Sequence, residues 1–251
     1  MSEAVMFSDK LVLPLLATLG ASLTILFIQL NTRRVKETKQ KIYTASYIMH
    51  QCYKILFSEL SIIKATIVPH IKAIERILEG DEKLLTTMFL ANEFDILKVP
   101  SPKITNLPDD YLLVVGYDDI QLVSIYETLA YINSDDTYRQ DLNECVKNKL
   151  KNMNAFMVLT AEEKTDILHE YYDHLISIEH ASKRKIFFIL YQVAPSFSRY
   201  VRRYQFWLYS KRSLNTEKQK IKNAAAEYKD YLPAADFGHE SMNGGIQKEI
   251  T

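Results

Sequence analysis

The feature that most constrains this chain is a run of twenty residues, 11–30, that contains no charged side chain. Wound into an α-helix, the run is apolar on every side, whereas a helix on the surface of a soluble domain carries one apolar stripe. About twenty apolar residues in a helix span the ~30 Å hydrocarbon core of a bilayer. The run therefore predicts one N-terminal transmembrane helix that contacts membrane lipid through residues 11–30.

The charges that flank this run predict its orientation. One lysine precedes the run, whereas five Lys and Arg residues follow it within residues 31–41. Cytoplasmic flanks of membrane helices are enriched in Lys and Arg. We therefore expect residues 1–10 to be a short extracytoplasmic segment and the bulk of the chain to lie in the cytoplasm, anchored to the cell (plasma or inner) membrane. A cleaved signal peptide is disfavoured. In a signal peptide the basic residues precede the apolar stretch, whereas in this chain most of them follow it.

Helical periodicity dominates the rest of the chain. Apolar residues recur every three or four positions from residue 42 to 78. A further helix is expected from Ile120 to Ile132, and another apolar stripe covers residues 136–158. Only six glycines and seven prolines punctuate the chain, which disfavours a sheet-rich domain. We predict an all-α fold: the transmembrane helix is followed by a cytoplasmic multi-helix bundle over 31–232. Its first element is a long membrane-proximal stalk helix over 31–79.

Prolines and polar segments predict where these helices are interrupted. Pro69 is expected to kink or split the stalk after Val68, and Pro195 to end the helix before it, because proline lacks an N–H and clashes with the preceding turn. Three prolines in 99–110 predict a surface loop. Residues 233–251 are polar and have no periodic stripe, so we expect a disordered tail.

Two helix boundaries have specific signals. Gly80 followed by Asp81 predicts the end of one helix and the start of the next. Thr160 followed by Glu163 has the spacing of a capping box, in which each residue accepts a hydrogen bond from the backbone of the other.

The formal net charge is zero, but the charges are arranged in blocks. Residues 31–78 carry nine Lys/Arg against three Asp/Glu, residues 79–144 carry four against fourteen, and residues 181–222 carry eleven against one. Blocks of opposite sign attract one another within a fold, or present charged surfaces to partners.

The segment 169–180 suggests a metal site. His169, Asp173 and His180 fall on one face of a helix, and two imidazoles with a carboxylate can bind zinc or iron. The spacing is not that of an H-E-x-x-H motif. The face also lies away from the apolar stripe, so a solvated flank with i,i+4 pairs such as His169–Asp173 and Glu170–His174 is the favoured interpretation.

The segment 183–212 combines eight Lys and Arg residues with many aromatic residues and no acid. Three interpretations are open, in this order of preference. The segment is part of the core, with basic neighbours that face the acidic block at 79–144; or it is a surface for anionic lipid headgroups; or it is a nucleic-acid surface. The predicted basic interaction surface comprises Lys183, Arg184, Lys185, Arg199, Arg202, Arg203, Lys211 and Arg212.

No nucleotide-binding, nucleophile or cofactor motif occurs in the sequence, so we predict neither a cofactor nor an enzyme. Cys52 and Cys145 are expected to be buried, reduced thiols. The favoured function is a membrane-anchored, non-enzymatic interaction or scaffold module that binds a protein partner or a copy of itself. The alternatives are a membrane-perturbing effector that oligomerises through its anchor, and a metal-dependent hydrolase that uses the histidines and aspartate of 169–180.

Overall fold

The computed structural model of the chain describes residues 2–94, 119–134, 137–202 and 211–234, with side chains from residue 18 onward except 201 and 211–214. These residues are helical and include no strand, which confirms the all-α bundle. Nine α-helices occur among them. They are α1 Ser2–Ile62, α2 Val68–Leu78, α3 Glu82–Leu90, α4 Ile120–Ser134, α5 Thr137–Cys145, α6 Met153–Met157, α7 Ala161–Phe188, α8 Ala194–Arg202 and α9 Lys211–Glu227.

Two prolines are accommodated without ending a helix. The π-helical turn Ile63–Ile67 joins α1 to α2 just before Pro69, and the π-helical turn Ile189–Val193 joins α7 to α8 just before Pro195. A proline removes one backbone hydrogen bond and its ring presses on the carbonyl four residues earlier. The wider π turn gives that carbonyl room. The expectation that a helix ends near Pro195 is therefore wrong, and the stalk continues through Pro69.

These joins produce two long helical rods that run in opposite directions. Tyr172 donates a hydrogen bond to Glu75 across 3.0 Å, and Ser182 donates one to Glu59 across 2.7 Å. Sequence position therefore rises along one rod as it falls along the other. Helix α9 packs against α1. His50 contacts Glu217 and Ser61 contacts Tyr228, so α9 runs parallel to α1.

The predicted apolar stripe of the stalk forms the centre of the core. Its buried members are Ile48, Cys52, Ile55, Leu60, Ile63, Ile67, Ile71 and Ile74. Phe57, which departs from the stripe in sequence, is 41% exposed. Helix α7 places Leu168, Tyr171 and Leu175 against the same core. Residue spacing alone thus identified the buried face of the stalk.

Both predicted helix boundaries are confirmed. Gly80 adopts a φ of 111°, a conformation that glycine reaches without the steric penalty of a Cβ. Asp81 then caps α3 by accepting a hydrogen bond from the backbone of Leu84. At the start of α7, Thr160 and Glu163 form the reciprocal capping box.

Other boundaries differ from expectation or lie outside the described residues. The helix predicted from Ile120 to Ile132 is present as α4. The apolar stripe over 136–158 is divided at two places. A π-helical turn begins after Cys145, and the side chain of Asn152 caps a new helix. The loop at 99–110 lies outside the described residues, and so does the predicted tail from residue 235.

Among the described side chains, which begin at Thr18, no helix is both long and apolar enough to cross a bilayer. The backbone of α1 is one continuous helix from Ser2 to Ile62. The span predicted at 11–30 includes residues 11–17, whose side chains are outside the described set. That span stays a prediction.

Candidate functional site

A cleft at the junction of three helices is the strongest candidate for a binding site. Its volume is about 410 Å³, within the range that small ligands or anchoring side chains of a partner occupy. The floor comes from α1 and α9, and one wall comes from α8 with Leu190 of the preceding π turn. The lining residues are Met49, Leu190, Ala194, Pro195, Ser198, Arg199, Arg202, Lys218, Ile221, Lys222 and Ala225.

The charge of this lining has one sign. Arg199, Arg202, Lys218 and Lys222 supply four cations, and no Asp or Glu is among the described residues that line the cleft. The remaining lining is mainly apolar. A surface of this kind matches a ligand or segment that carries negative charge beside an apolar group. We call these four residues and the apolar floor the cationic cleft.

Local helix geometry explains why the four cations converge. Arg199 and Arg202 are three residues apart on α8, and Lys218 and Lys222 are four residues apart on α9, so each pair shares a helix face. Burial of Tyr200 and Ala224 fixes the rotation of the two helices. Both cationic pairs therefore border the same gap between α8 and α9.

A second cleft, of about 350 Å³, lies between the α1–α2 rod and α3 and is also lined by cations. Two of its cations are already engaged. Lys64 lies 5.0 Å from the centre of the Tyr228 ring, and Arg76 donates to Asp81 across 2.6 Å. This cleft is therefore a weaker candidate for an anionic ligand.

The predicted basic surface is divided by the fold. Arg199 and Arg202 line the cationic cleft, whereas Lys183 pairs with Glu179 at 2.8 Å and Lys185 is buried. Arg184 is exposed. Arg203 and the side chains of Lys211 and Arg212 lie outside the described residues.

The aromatic residues of the same segment also differ in burial. Phe188 is buried, as are Phe197 and Tyr200, whereas Tyr191 is 45% exposed. Lys185 contacts Glu59 of the stalk. The positions of Tyr204 and Trp207 fall outside the described residues.

The weak metal candidates His169, Asp173 and His180 are all exposed on α7. Among the described residues, they form no group with donor atoms close enough to share an ion. A different set of three residues forms such a group: the donor atoms of Cys145, Glu170 and His174 lie within 4.8 Å of one another. Of its members, only the Glu170–His174 pair was anticipated from i,i+4 spacing.

A buried cluster of charged and polar residues ties three helices together. The carboxylate of Glu59, which is fully buried, accepts hydrogen bonds from Arg139 of α5 at 3.1 and 3.3 Å. It also accepts bonds from Ser182 at 2.7 Å and from Lys185 at 3.4 Å, both on α7. We call these four residues the Glu59 cluster. Its closed setting suits a structural role.

Both cysteines are buried, free thiols, as predicted. Burial raises the pKa of Cys52 to about 12. Burial also raises the pKa of Cys145 to about 11, and the nearby Glu170 carboxylate adds to this. The thiolate is the reactive form of cysteine, so neither residue is suited to act as a nucleophile at neutral pH.

We expect both thiols to resist alkylation in the folded protein. At pH 8 about a quarter of an ordinary thiol is ionised, against about one part in a thousand for a pKa of 11, so labelling should slow by at least about 200-fold relative to the unfolded chain. The measurement is iodoacetamide labelling followed by mass spectrometry, with protein in denaturant as the control. Rapid labelling of Cys52 or Cys145 in the folded protein would contradict the burial described above.

Three features were not identified from the sequence. Lys218 and Lys222 lie in a polar segment that favours a solvent-exposed helix, and their i,i+4 spacing beside Ile221 is the one local signal of a shared face. The Glu59 cluster and the Cys145–Glu170 contact join distant parts of the chain and have no local signal. Comparison with protein-family models, with curated proteins and with solved structures finds no match for the chain.

Proposed function

We propose that this chain is a single-pass membrane protein that holds an anionic protein partner at the cytoplasmic face through its cationic cleft. Residues 11–30 serve as the anchor, residues 31–41 as its basic cytoplasmic flank at the start of the stalk helix, and the helical bundle as a non-enzymatic binding module. One observation carries the proposal: the side chains of α1 from residue 18 to residue 30 are exposed, although many of them are apolar.

Every residue from 18 to 30 is exposed, and seven of these residues are large and apolar. They are Leu19, Leu23, Ile25, Leu26, Phe27, Ile28 and Leu30, each between 49% and 71% exposed. Exposed apolar surface of this extent on a soluble protein marks a membrane or protein contact. Because no face of residues 18–30 is packed against the bundle, lipid around the whole helix accounts for the pattern better than one packed partner does.

The continuity of α1 sets the distance between the anchor and the cleft. Ile42 is the first buried residue of α1 among its described side chains, about 18 Å beyond Leu30 at 1.5 Å per residue. Met49, on the floor of the cleft, lies about 28 Å beyond Leu30 along the helix axis. Headgroups add only roughly 5–7 Å to each side of the hydrocarbon core. A cytoplasmic partner therefore fits the cleft better than lipid headgroups of the same membrane.

The composition of the cleft indicates the chemistry of the partner. Four cations around an apolar floor favour an amphipathic acidic segment, which places carboxylates on the rim and apolar side chains inside. Anchoring the cleft to a membrane raises the effective concentration of whatever it binds there. This combination is the basis for assigning a scaffold role rather than a catalytic one.

The test is co-purification from membranes solubilised in mild detergent. We expect wild-type protein to be recovered with a protein partner after chemical crosslinking, and the double variant Arg199→Glu/Arg202→Glu to lose that partner by at least tenfold. Reversal of two rim charges replaces attraction by repulsion and reduces the association rate most at low salt. Both residues are exposed, so the bundle should stay folded.

The matched control is Lys147→Glu/Lys151→Glu, which reverses two exposed cations outside the cleft. It should retain the partner. A protein that co-purifies with nothing, or that keeps its partner in the cleft variant, would contradict the proposal. Recovery of an anionic lipid in place of a protein would show that the occupant class is wrong.

A further inference from the structure

We propose that Cys145, Glu170 and His174 form a zinc-binding site that joins the end of α5 to the middle of α7. This site is distinct from the cationic cleft and does not depend on the proposed membrane anchor. The inference begins with the closeness of three unlike donor atoms: the Cys145 thiol sulfur, a Glu170 carboxylate oxygen and a His174 ring nitrogen lie within 4.8 Å of one another.

Two of the three donors are positioned by one helix. Glu170 and His174 are four residues apart on α7 and therefore share a face, and His174 Nε2 lies 3.9 Å from Glu170 Oε1. In a tetrahedral zinc site, bonds of about 2.0–2.3 Å place neighbouring donor atoms roughly 3.3–3.6 Å apart. Separations of up to 4.8 Å therefore need to close by up to about 1.5 Å, which side-chain rotation provides.

The third donor comes from the neighbouring helix α5, which packs against α7. Cys145 is its last residue, and the π-helical turn Val146–Leu150 begins immediately after it. Such turns are frequent at functional sites, because they change the direction of side chains within a helix. Here the turn carries Lys149 onto Glu170.

Lys149 indicates that this position attracts a cation. Its ammonium group pairs with the Glu170 carboxylate, and both side chains are 40% exposed. A divalent ion on Glu170 would displace the ammonium group, and the exposed lysine can move into water. Lys149 is therefore a competitor for the metal, and its removal should strengthen metal binding.

The donor set favours zinc over other common divalent ions. Sulfur and imidazole ligands suit zinc, whereas magnesium and calcium require oxygen ligands. Three protein ligands leave a fourth position for water. Displacement of Lys149 and of the thiol proton opposes binding, so we expect an affinity below that of a four-ligand structural zinc site.

The experiment uses the full chain in detergent, purified without a histidine tag and treated with a chelator. Cobalt(II) is titrated as a spectroscopic probe, and zinc is then added in competition. We expect one ion per chain and the ultraviolet charge-transfer band of a cobalt–thiolate bond. Cys145→Ser should abolish that band, His174→Gln should weaken binding by about tenfold or more, and Lys149→Met should strengthen it by about tenfold.

Two matched controls come from the same chain. Cys52→Ser removes the other buried thiol, and His169→Gln removes an exposed histidine of α7. Both variants should bind the metal ion with the affinity of the wild-type protein. Should Cys145→Ser fail to fold, judged by circular dichroism, the partly exposed His174 and Lys149 variants still decide the question. Absence of stoichiometric binding, or binding that survives the loss of Cys145 and His174, would overturn the proposal.

Discussion

Replacement of Glu59 by alanine should lower the free energy of unfolding by about 3–5 kcal/mol, the cost expected when one partner of a buried ion pair is removed. The carboxylate is the shared acceptor of Arg139, Ser182 and Lys185. Its loss leaves two cationic side chains in the interior without that acceptor. Urea unfolding followed by circular dichroism measures the change.

The size of this effect follows from the burial of the whole cluster. The side chain of Glu59 is 0% exposed, and those of Arg139 and Lys185 are 9% and 5% exposed. Water therefore cannot replace the missing carboxylate without opening the contact between helices. A domain with a total stability of roughly 5–15 kcal/mol would lose a large share of it.

Two further variants separate charge pairing from packing. Glu127→Ala, at an exposed position of α4, should change stability by less than about 0.5 kcal/mol. The triple variant Glu59→Leu/Arg139→Met/Lys185→Met removes all three charges and should recover most of the lost stability, because well-packed apolar residues can replace a buried ion cluster. If Glu59→Ala alone costs less than about 1 kcal/mol, the cluster does not hold the three helices together.

The features that could be predicted from the sequence are those whose partners lie within one or two helical turns. The capping box joins Thr160 to a residue three positions later, and the end of α2 depends on Gly80 and Asp81. The buried face of the stalk follows from the period of its apolar residues. In each case the interaction is decided by backbone geometry that a short window of sequence contains.

The features that could not be predicted depend on contacts between distant segments. Glu59 is 80 residues from Arg139 and 126 from Lys185, so no local pattern connects them. The wrong expectation at Pro195 has a different cause. Proline breaks an isolated helix, but packing of the helices on both sides of Pro195 favours a π turn over a break. The cationic cleft shares this property, because Met49 of α1 lies far along the chain from the residues of α8 and α9 that complete the cleft.

The second large effect concerns the anchor. The double variant Leu19→Arg/Leu23→Arg should move the protein from the carbonate-resistant membrane fraction to the soluble or degraded fraction. On an insertion scale, each arginine near the centre of a membrane helix costs about 2.5–3.5 kcal/mol. The twelve Leu, Ile, Val and Phe residues of 11–30 contribute roughly 4–7 kcal/mol in favour of insertion. Two arginines, together with the loss of two leucines, therefore cancel the driving force.

The matched control places the same charges just beyond the anchor. Asn31→Arg/Thr32→Arg adds two arginines to the basic flank, where the positive-inside rule predicts that they favour the existing orientation. This variant should stay in the membrane fraction. Two results would contradict this prediction: release of the wild-type protein by alkaline carbonate, or retention of the Leu19→Arg/Leu23→Arg variant in the membrane fraction. In either case the exposed apolar residues of α1 before residue 31 bind something other than lipid. Protein contact along one face would then be the explanation, and the cleft would have to act without a membrane to concentrate its partner.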